Sequence, residues 1–186
     1  MSELSLADIE FEFRNALVKV VVIREIPFSH PAAEKLATVS VDQDVEVPFW
    51  VAEELVSGEY ARFRDEDVLD MPRLSKIHWK ETMPSLAQLP SLQPNFYFML
   101  RLLLEKLKRE ESQSSNKRKE YERAMGYFDD IVSCRLRKIV SFAAAPGTTA
   151  DLVKSMTPEE QWLYARLKGT VAEWKDTIAK GAQKPD

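Results

Sequence analysis

The pattern of hydrophobic and polar residues changes about a third of the way along the chain. Short β-branched runs occupy the first part, and the clearest of them, Lys19 to Arg24, predicts a buried strand. From Ile77 onward, apolar residues recur at three- and four-residue spacing, which indicates amphipathic helices. We therefore predict an α+β protein with a small N-terminal β-rich domain followed by a mainly α-helical bundle domain.

The β-rich part contains further strand signals. Residues 38–41 and 45–47 flank a polar turn and predict a hairpin, and residues 60–63 predict one more strand. Residues 6–17 fit a short helix capped by Ser5 as well as they fit a strand, because their apolar residues also alternate. Both interpretations of this first segment stay open.

A short helix is expected to follow the hairpin. Pro48 suits a first helical turn, and Gly58 can end the helix. The apolar side of this helix lies where the β-rich part gives way to the helical part, so we expect it to contribute to packing between the domains. The candidates for this inter-domain packing are Phe49, Trp50 and Leu55.

Three longer helices are predicted in the second part. The first runs from Phe96 to Arg109 and is apolar almost all round, which is typical of a helix buried on more than one side. The second runs from about Glu120 to Ala145, with an inner stripe that includes Leu136 and Ile139. The third begins at Thr157, where a capping box is predicted. Core packing and a partner helix both remain open for their apolar faces. The candidate partner-interface residues are Phe96, Phe98, Leu102, Tyr164, Leu167, Val171 and Trp174.

These patterns divide the chain into four segments. Residues 1–63 form the small β-containing domain, and residues 64–76 connect it to the rest as either a linker or a packed helix. Residues 77–181 form the helical domain, which ends at a glycine, and residues 182–186 form a frayed tail.

Composition excludes several kinds of site. Cys134 is the only cysteine, so an internal disulfide and a cysteine-based zinc site are excluded. The two histidines, His30 and His78, do not have the spacing of metal ligands, and five glycines argue against a glycine-rich phosphate loop. We expect no enzyme activity, no metal and no cofactor. The absence of a signal-peptide pattern and of an apolar run of about 20 residues predicts a cytosolic protein that does not enter a membrane.

Two clusters of basic residues are the candidates for binding phosphates. They can equally form salt bridges with carboxylates of a neighbouring helix or subunit. The formal net charge of −4 and the lack of nearby aromatic residues for base stacking argue against direct nucleic-acid binding. A nucleic-acid-binding regulatory protein that uses these basic helix patches remains the alternative function. The residues of the candidate patch are Lys117, Arg118, Lys119, Arg135, Arg137 and Lys138.

Several segments, taken in order, resemble one family, the subunits of the GINS DNA-replication complex. The first is the Val-Pro-Phe-Trp-Val-Ala-Glu-Glu-Leu segment that ends at Leu55. The remaining segments are Trp79-Lys80-Glu81 with Leu89, then Phe96-Tyr97, then Arg135-Leu136-Arg137-Lys138-Ile139, and finally Thr157-Pro158-Glu159-Glu160. A β unit that precedes the helical unit is similar to the archaeal GINS subunit related to eukaryotic subunits two and three.

The resemblance implies a non-enzymatic scaffold of the replicative helicase. Two copies of this chain would join two copies of a second GINS subunit in a hetero-tetramer, a dimer of dimers. That assembly would bridge the MCM helicase and a RecJ-like nuclease-fold protein, in a replisome associated with the nucleoid in the cytoplasm. No membrane partner is implied.

Overall fold

A computed structural model describes residues 5–25, 39–64, 68–83, 89–147 and 150–182. The chain divides into two compact units, Met1–Val68 and Leu69–Asp186. The division falls within the segment that the sequence predicts as the connection. Each unit has its own set of elements and its own core.

The first unit begins with a capped helix, α1 (Leu6–Asn15). The Ser5 side chain accepts a hydrogen bond from the Asp8 backbone N–H at 3.2 Å, and the Ser5 N–H donates to the Asp8 carboxylate at 2.7 Å. This capping box supplies partners for groups that a helix start otherwise leaves unpaired. Residues 6–15 are therefore a helix, which decides between the two interpretations that the sequence left open.

A three-stranded antiparallel sheet follows, with the order β2-β1-β3. Its strands are β1 (Leu17–Val22), β2 (Asp44–Pro48) and β3 (Ala61–Phe63). The predicted hairpin is wrong in its pairing, because β2 pairs with β1, with Val20 opposite Val45, and the described residues 39–41 form no strand. The β-branched run of β1 lies at the centre and pairs on both sides. The turn before β2 passes through Asp42, whose φ is 67°.

The helix α2 (Phe49–Ser57) completes the core of the first unit. It buries Val51, Ala52 and Leu55 in one cluster with side chains of the sheet. Pro48 ends β2 and immediately precedes α2, as expected for a residue that cannot donate to a sheet but suits a helix start. Gly58 ends the helix, as predicted.

The second unit opens with α3 (Met71–Thr82), which is capped by Asp70. The Asp70 carboxylate accepts a hydrogen bond from the Arg73 N–H at 2.8 Å. Residues 71–76, which the sequence left open between a linker and a packed helix, are the first turns of this helix. The predicted helix at Phe96 is present as α4 (Phe96–Glu110), followed by a short 3₁₀ turn, Glu111–Gln113.

The longest helix, α5 (Ser115–Ala144), packs against α3, α4 and the last helix. It begins five residues earlier than the sequence predicted, because the Ser114 side chain accepts a hydrogen bond from the Lys117 N–H and caps it there. A short helix, α6 (Ala150–Lys154), then leads to α7 (Pro158–Ala182). The sequence predicted that the helix ends at Gly181 and that residues 182–186 form a tail, but the helix includes Ala182. Residues 183–186 lie outside the described residues.

The start of α7 confirms the predicted capping box. The Thr157 N–H donates to the Glu160 carboxylate at 3.0 Å, and the Thr157 hydroxyl accepts from the Glu160 N–H at 3.4 Å. From this point α7 runs in the same direction as α5, since Glu160 contacts Arg135 and the Lys175 ammonium donates to the Ala144 carbonyl. Among the described helices, none is both long enough and apolar enough to cross a membrane.

Candidate functional site

The interior of the helical unit contains a buried ion cluster around Arg135, which lies on α5 and is completely buried. The Arg135 Nε donates to Glu160 Oε1 at 2.5 Å and its Nη2 to Glu160 Oε2 at 2.7 Å. This is the two-pronged geometry in which a guanidinium binds a carboxylate most strongly. The Arg135 Nη1 donates to Glu81 Oε1 on α3. One arginine therefore joins three helices.

The remaining donors and charges of the cluster are also satisfied. Backbone carbonyls of Pro90 and Ser155 accept from Arg135 at 2.9 and 3.4 Å. The Lys138 ammonium donates to Glu81 Oε2 at 3.1 Å. Two cations and two carboxylates are thus buried together, so their formal charges cancel. That balance matters because an unpaired buried charge is strongly destabilising.

Tyr97 brings the fourth helix, α4, into the cluster. Its hydroxyl donates to Glu160 Oε1 at 2.6 Å. Burial raises the pKa of Tyr97, and the negative charge of Glu160 raises it further, so the phenol stays protonated. Burial alone would lower the pKa of Arg135, but its hydrogen bond to Glu160 and the charges of Glu160 and Glu81 raise it overall. Tyr97 and Arg135 therefore both keep their protons at neutral pH.

The buried ion cluster combines α3, α4, α5 and α7 with two loop carbonyls. Each of its charged groups forms an ion pair with another group of the cluster, and the Arg135 guanidinium and both carboxylates are buried. Such an arrangement fixes the positions of helices. Among the described side chains, there is no group of three or more His, Cys, Asp and Glu residues that could hold a metal ion.

The structure separates the residues of the predicted basic patch. Arg135 and Lys138 belong to the buried ion cluster and are not on a surface, which corrects their assignment to a patch. Lys117 pairs with Glu110 at 2.7 Å, and Arg118 pairs with Glu122 at 3.1 Å. The last two residues of the patch are exposed: Lys119, and Arg137, whose guanidinium bonds to the Ser133 carbonyl and the Cys134 sulfur.

The predicted inner stripe of α5 is wrong at Leu136. That side chain is 44% exposed, while Arg135 and Lys138 on either side of it are buried. The apolar pattern selected Leu136 because charged residues were assumed to face solvent. Pairing with Glu81 and Glu160 makes burial of the cations possible. The side of α5 that faces the core is therefore the one that carries Arg135 and Lys138, and not the one that carries Leu136. Ile139 is buried as predicted.

The candidate partner-interface residues fall into three groups, and their role at an interface stays a prediction. Phe96, Phe98 and Tyr164 are buried within the chain itself. Leu102, Leu167 and Val171 are half-buried. Trp174 is 63% exposed.

One face of α7 accounts for the last four of these residues. Tyr164 packs in a core cluster with Ile139 and Ala143 of α5, and Leu167 contacts the same cluster. Further along the same face, Trp174 and Ile178 are exposed, close to the level at which α5 ends at Ala144. The apolar face of α7 therefore extends beyond the part that α5 covers.

The residues predicted to pack between the domains have distinct positions in the first unit. Phe49 and Leu55 are buried in its core, where the Phe49 ring lies 5.3 Å from that of Phe13 and 5.5 Å from that of Phe63. Trp50 points outward and is 50% exposed. Packing of these residues between the two domains stays a prediction.

Sequence reasoning missed the roles of Glu81 and Tyr97 in the cluster, and it assigned Glu160 only to the helix cap. A signal was present, because the segments that carry the family resemblance in the helical unit contribute these residues. Trp79-Lys80-Glu81 provides one carboxylate, Phe96-Tyr97 the phenol, and Arg135 to Ile139 both cations. Thr157 to Glu160 provides the second carboxylate.

Comparison with protein families identifies the helical unit. Residues 68–179 match the family Sld5, described as the GINS complex protein helical bundle domain. No curated protein matches the chain. The matched range covers more than half of the chain and includes every side chain of the buried ion cluster. Members of this family are non-catalytic components of a multi-subunit complex that acts in DNA replication. The chain therefore belongs to the GINS family and is a subunit of the GINS DNA-replication complex.

Proposed function

We propose that this chain is a non-enzymatic scaffold subunit of an archaeal-type GINS complex, of the kind related to eukaryotic subunits two and three. It joins a second GINS subunit in a hetero-tetramer, a dimer of dimers. The assembly links the MCM helicase to a RecJ-like partner and supports unwinding at the nucleoid in the cytoplasm. Family membership supports the general role, and a β-containing unit that precedes the helical unit supports the subtype.

The single observation that carries the scaffold proposal is the exposed apolar face of α7. Val171 is half-buried and Trp174 and Ile178 are more than half exposed, at three- and four-residue spacing on one side of the helix. An exposed tryptophan beside other apolar side chains is typical of a protein–protein interface, where a few aromatic anchors supply most of the binding energy. This face fits an apolar helix of the second GINS subunit.

The test is co-purification with a tagged companion GINS subunit. Trp174→Glu places a charge on the exposed face, and loss of an aromatic anchor of about 2 kcal/mol or more weakens binding roughly 30-fold. Ala172→Glu adds the same charge to the same helix, on its far side, and is the matched control. We expect the control to retain the partner and Trp174→Glu to lose it, with unchanged helix content in both. Retention of the partner by Trp174→Glu would exclude this face as the interface.

Leu102 on α4 provides an independent test of a second part of the interface. It is half-buried, whereas the nearby Phe98 is buried, so a charge at Phe98 would disrupt the core. Leu102→Glu is therefore the variant to use. If α4 contributes to the interface, this variant loses the partner while its thermal unfolding midpoint stays close to that of the wild-type chain.

The link to the helicase requires the assembled complex. We expect the co-expressed GINS complex to bind MCM and the RecJ-like protein in pull-down experiments, and to increase the rate at which MCM unwinds a forked duplex. An assembled complex that binds neither protein would refute the bridging role without affecting the subunit interface.

The positions of the six predicted cations do not support the alternative function, a nucleic-acid-binding regulator. Arg135 and Lys138 are buried, and Lys117 and Arg118 form ion pairs with carboxylates. A cation that is already paired has less charge to offer a phosphate. We therefore favour the scaffold as the main role of this chain.

A further inference from the structure

The net charge of −4 conceals an uneven distribution of charge along the chain. Residues 1–68 contain 6 Lys and Arg residues against 15 Asp and Glu residues. Residues 69–186 contain 20 Lys and Arg residues against 15 Asp and Glu residues. The first unit is therefore strongly acidic, and the helical unit is basic. Electrostatic attraction of an anion depends on this local balance more than on the total.

A pocket of about 360 Å³ lies at one end of the helical unit. It is formed between the start of α3, at Met71, and the first turns of α5. Polar and charged side chains supply most of its lining: Ser114, Asn116, Lys117, Lys119, Glu120 and Arg123. Three cations and one carboxylate thus face a single concave space.

The three cations of the pocket differ in whether they already pair with a carboxylate. Lys117 is shared between Glu110 at 2.7 Å and Glu120 at 3.6 Å. Its hydrogen bond to Glu110 raises the pKa of Lys117 and lowers that of Glu110, as expected for an established pair. In the part of the chain that the structure describes, Lys119 and Arg123 are exposed and form no ion pair with a carboxylate. They are four residues apart on α5, so they lie on the same face of the helix.

The polar side chains around these two cations suit a phosphate. The Asn116 amide and the Ser114 hydroxyl can donate hydrogen bonds beside them, and a guanidinium presents two parallel donors to phosphate oxygens. Glu120 also lines the pocket, where Lys117 partly compensates its charge. Nearby Lys106 and Arg109 add positive potential, since both lower the pKa of Glu110 through their charges.

We propose that this pocket binds a backbone phosphate of nucleic acid, with Lys119 and Arg123 as the principal ligands. The proposal rests on the role in DNA replication, which places the complex beside DNA. The contacts are to phosphate and not to base edges, so binding is independent of sequence and decreases steeply with salt. Sequence reasoning chose Lys119 as one of a triplet of cations, and it missed Arg123, which follows outside that triplet.

The experiment measures fluorescence anisotropy of a fluorescein-labelled oligonucleotide, single-stranded and as a duplex, across a series of NaCl concentrations. The wild-type chain is compared with Lys119→Gln/Arg123→Gln and with Lys119→Glu/Arg123→Glu. The matched control is Lys154→Glu/Lys180→Glu, which changes the charge of the same unit by the same amount on α6 and α7. Circular dichroism verifies the helix content of each variant.

We expect the Lys119→Glu/Arg123→Glu variant to bind roughly tenfold or more weakly, with a salt slope smaller by roughly 1.4 on single strands, as expected for the loss of two phosphate contacts. The Gln variant shows the same slope change, and the control binds like the wild-type chain. Equal weakening in the control, or no binding by the wild-type chain at low salt, overturns the proposal. Binding of an acidic peptide and not DNA, lost in the same variant, reassigns the pocket to a protein partner.

Co-purification with the companion subunit is measured on the same variants. The pocket is at the start of α5, whereas the exposed face of α7 lies near the end of α5. The pocket variants are therefore expected to retain the partner. Loss of DNA binding with retained partner separates this proposal from the scaffold proposal, and each can fail alone.

Discussion

Replacing Arg135 with methionine tests the buried ion cluster directly. Methionine keeps an unbranched side chain of similar length but removes the charge and every donor. The substitution leaves Glu81 paired with Lys138. The donors that remain for Glu160 among the described residues are neutral: the Tyr97 hydroxyl and the Thr157 N–H. A completely buried site that was neutral then has an uncompensated negative charge.

The expected loss is large relative to the stability of the protein. Removing one partner of a buried ion pair costs about 3–5 kcal/mol, against a typical total of about 5–15 kcal/mol. For a chain of this size, that corresponds to a decrease of roughly 6–20 °C in the unfolding midpoint. Arg137→Met is the matched control, because Arg137 is exposed on the same helix and its guanidinium donates to the nearby Ser133 carbonyl and Cys134 sulfur. We expect it to change stability by about 0.5 kcal/mol or less.

Urea unfolding followed by far-UV circular dichroism measures both variants. A double-mutant cycle then isolates the charge effect, because Arg135→Met/Glu160→Gln restores neutrality. We expect this pair to be less destabilised than the sum of its single variants, with a coupling of about 1–3 kcal/mol. Equal stability of Arg135→Met and Arg137→Met, or additive effects in the cycle, would refute the interpretation that the cluster holds the helices through compensated charge.

Two further predictions concern the same helices. Leu136→Ser should cost about 1 kcal/mol of the free energy of unfolding, because the side chain is 44% exposed, whereas Ile139→Ala should cost about 2–5 kcal/mol because Ile139 is buried. Urea unfolding of the two variants checks the orientation of α5, and equal losses would contradict it. Tyr97→Phe should lose about 1.5–3 kcal/mol at neutral pH through its hydrogen bond to Glu160. Because the pKa of Tyr97 is raised in the folded state, this contribution is complete below the ordinary tyrosine value of 10.0 and decreases as pH rises above it. Unfolding at neutral pH and above pH 10 should therefore show a narrowing difference between wild type and Tyr97→Phe, and a constant difference would contradict it.

Local signals in the sequence predicted local structure well. The cap at Thr157 was identified because a capping box depends on residues three positions apart, and the helix in front of Gly58 was identified by its glycine stop. The pairing of β2 was predicted wrongly, because a strand does not have to pair with the apolar segment directly before it in the sequence. The β1 strand offered a longer β-branched edge than residues 39–41 did.

The candidate site was harder to predict, for a physical reason. Hydrophobic periodicity treats every cation as solvent-facing, and so it placed Leu136 inside and Arg135 outside. Whether Arg135 can be buried depends on Glu81, which is 54 residues away, and on Glu160, which is 25 residues away. The sequence of α5 alone does not contain these partners. The segments that resemble the GINS family do contain them, because they include Glu81, Arg135 and Glu160.

The long range of the contacts around Arg135 has a consequence for which part of the helical unit can fold without the rest. Glu160 lies 25 residues after Arg135, at the start of the last helix. In a fragment that stops before α7, Arg135 and Lys138 share one carboxylate, that of Glu81, so burying these three groups would enclose one positive charge in excess. We therefore expect such a fragment to leave Arg135 in contact with water, and the closed bundle to require the last helix.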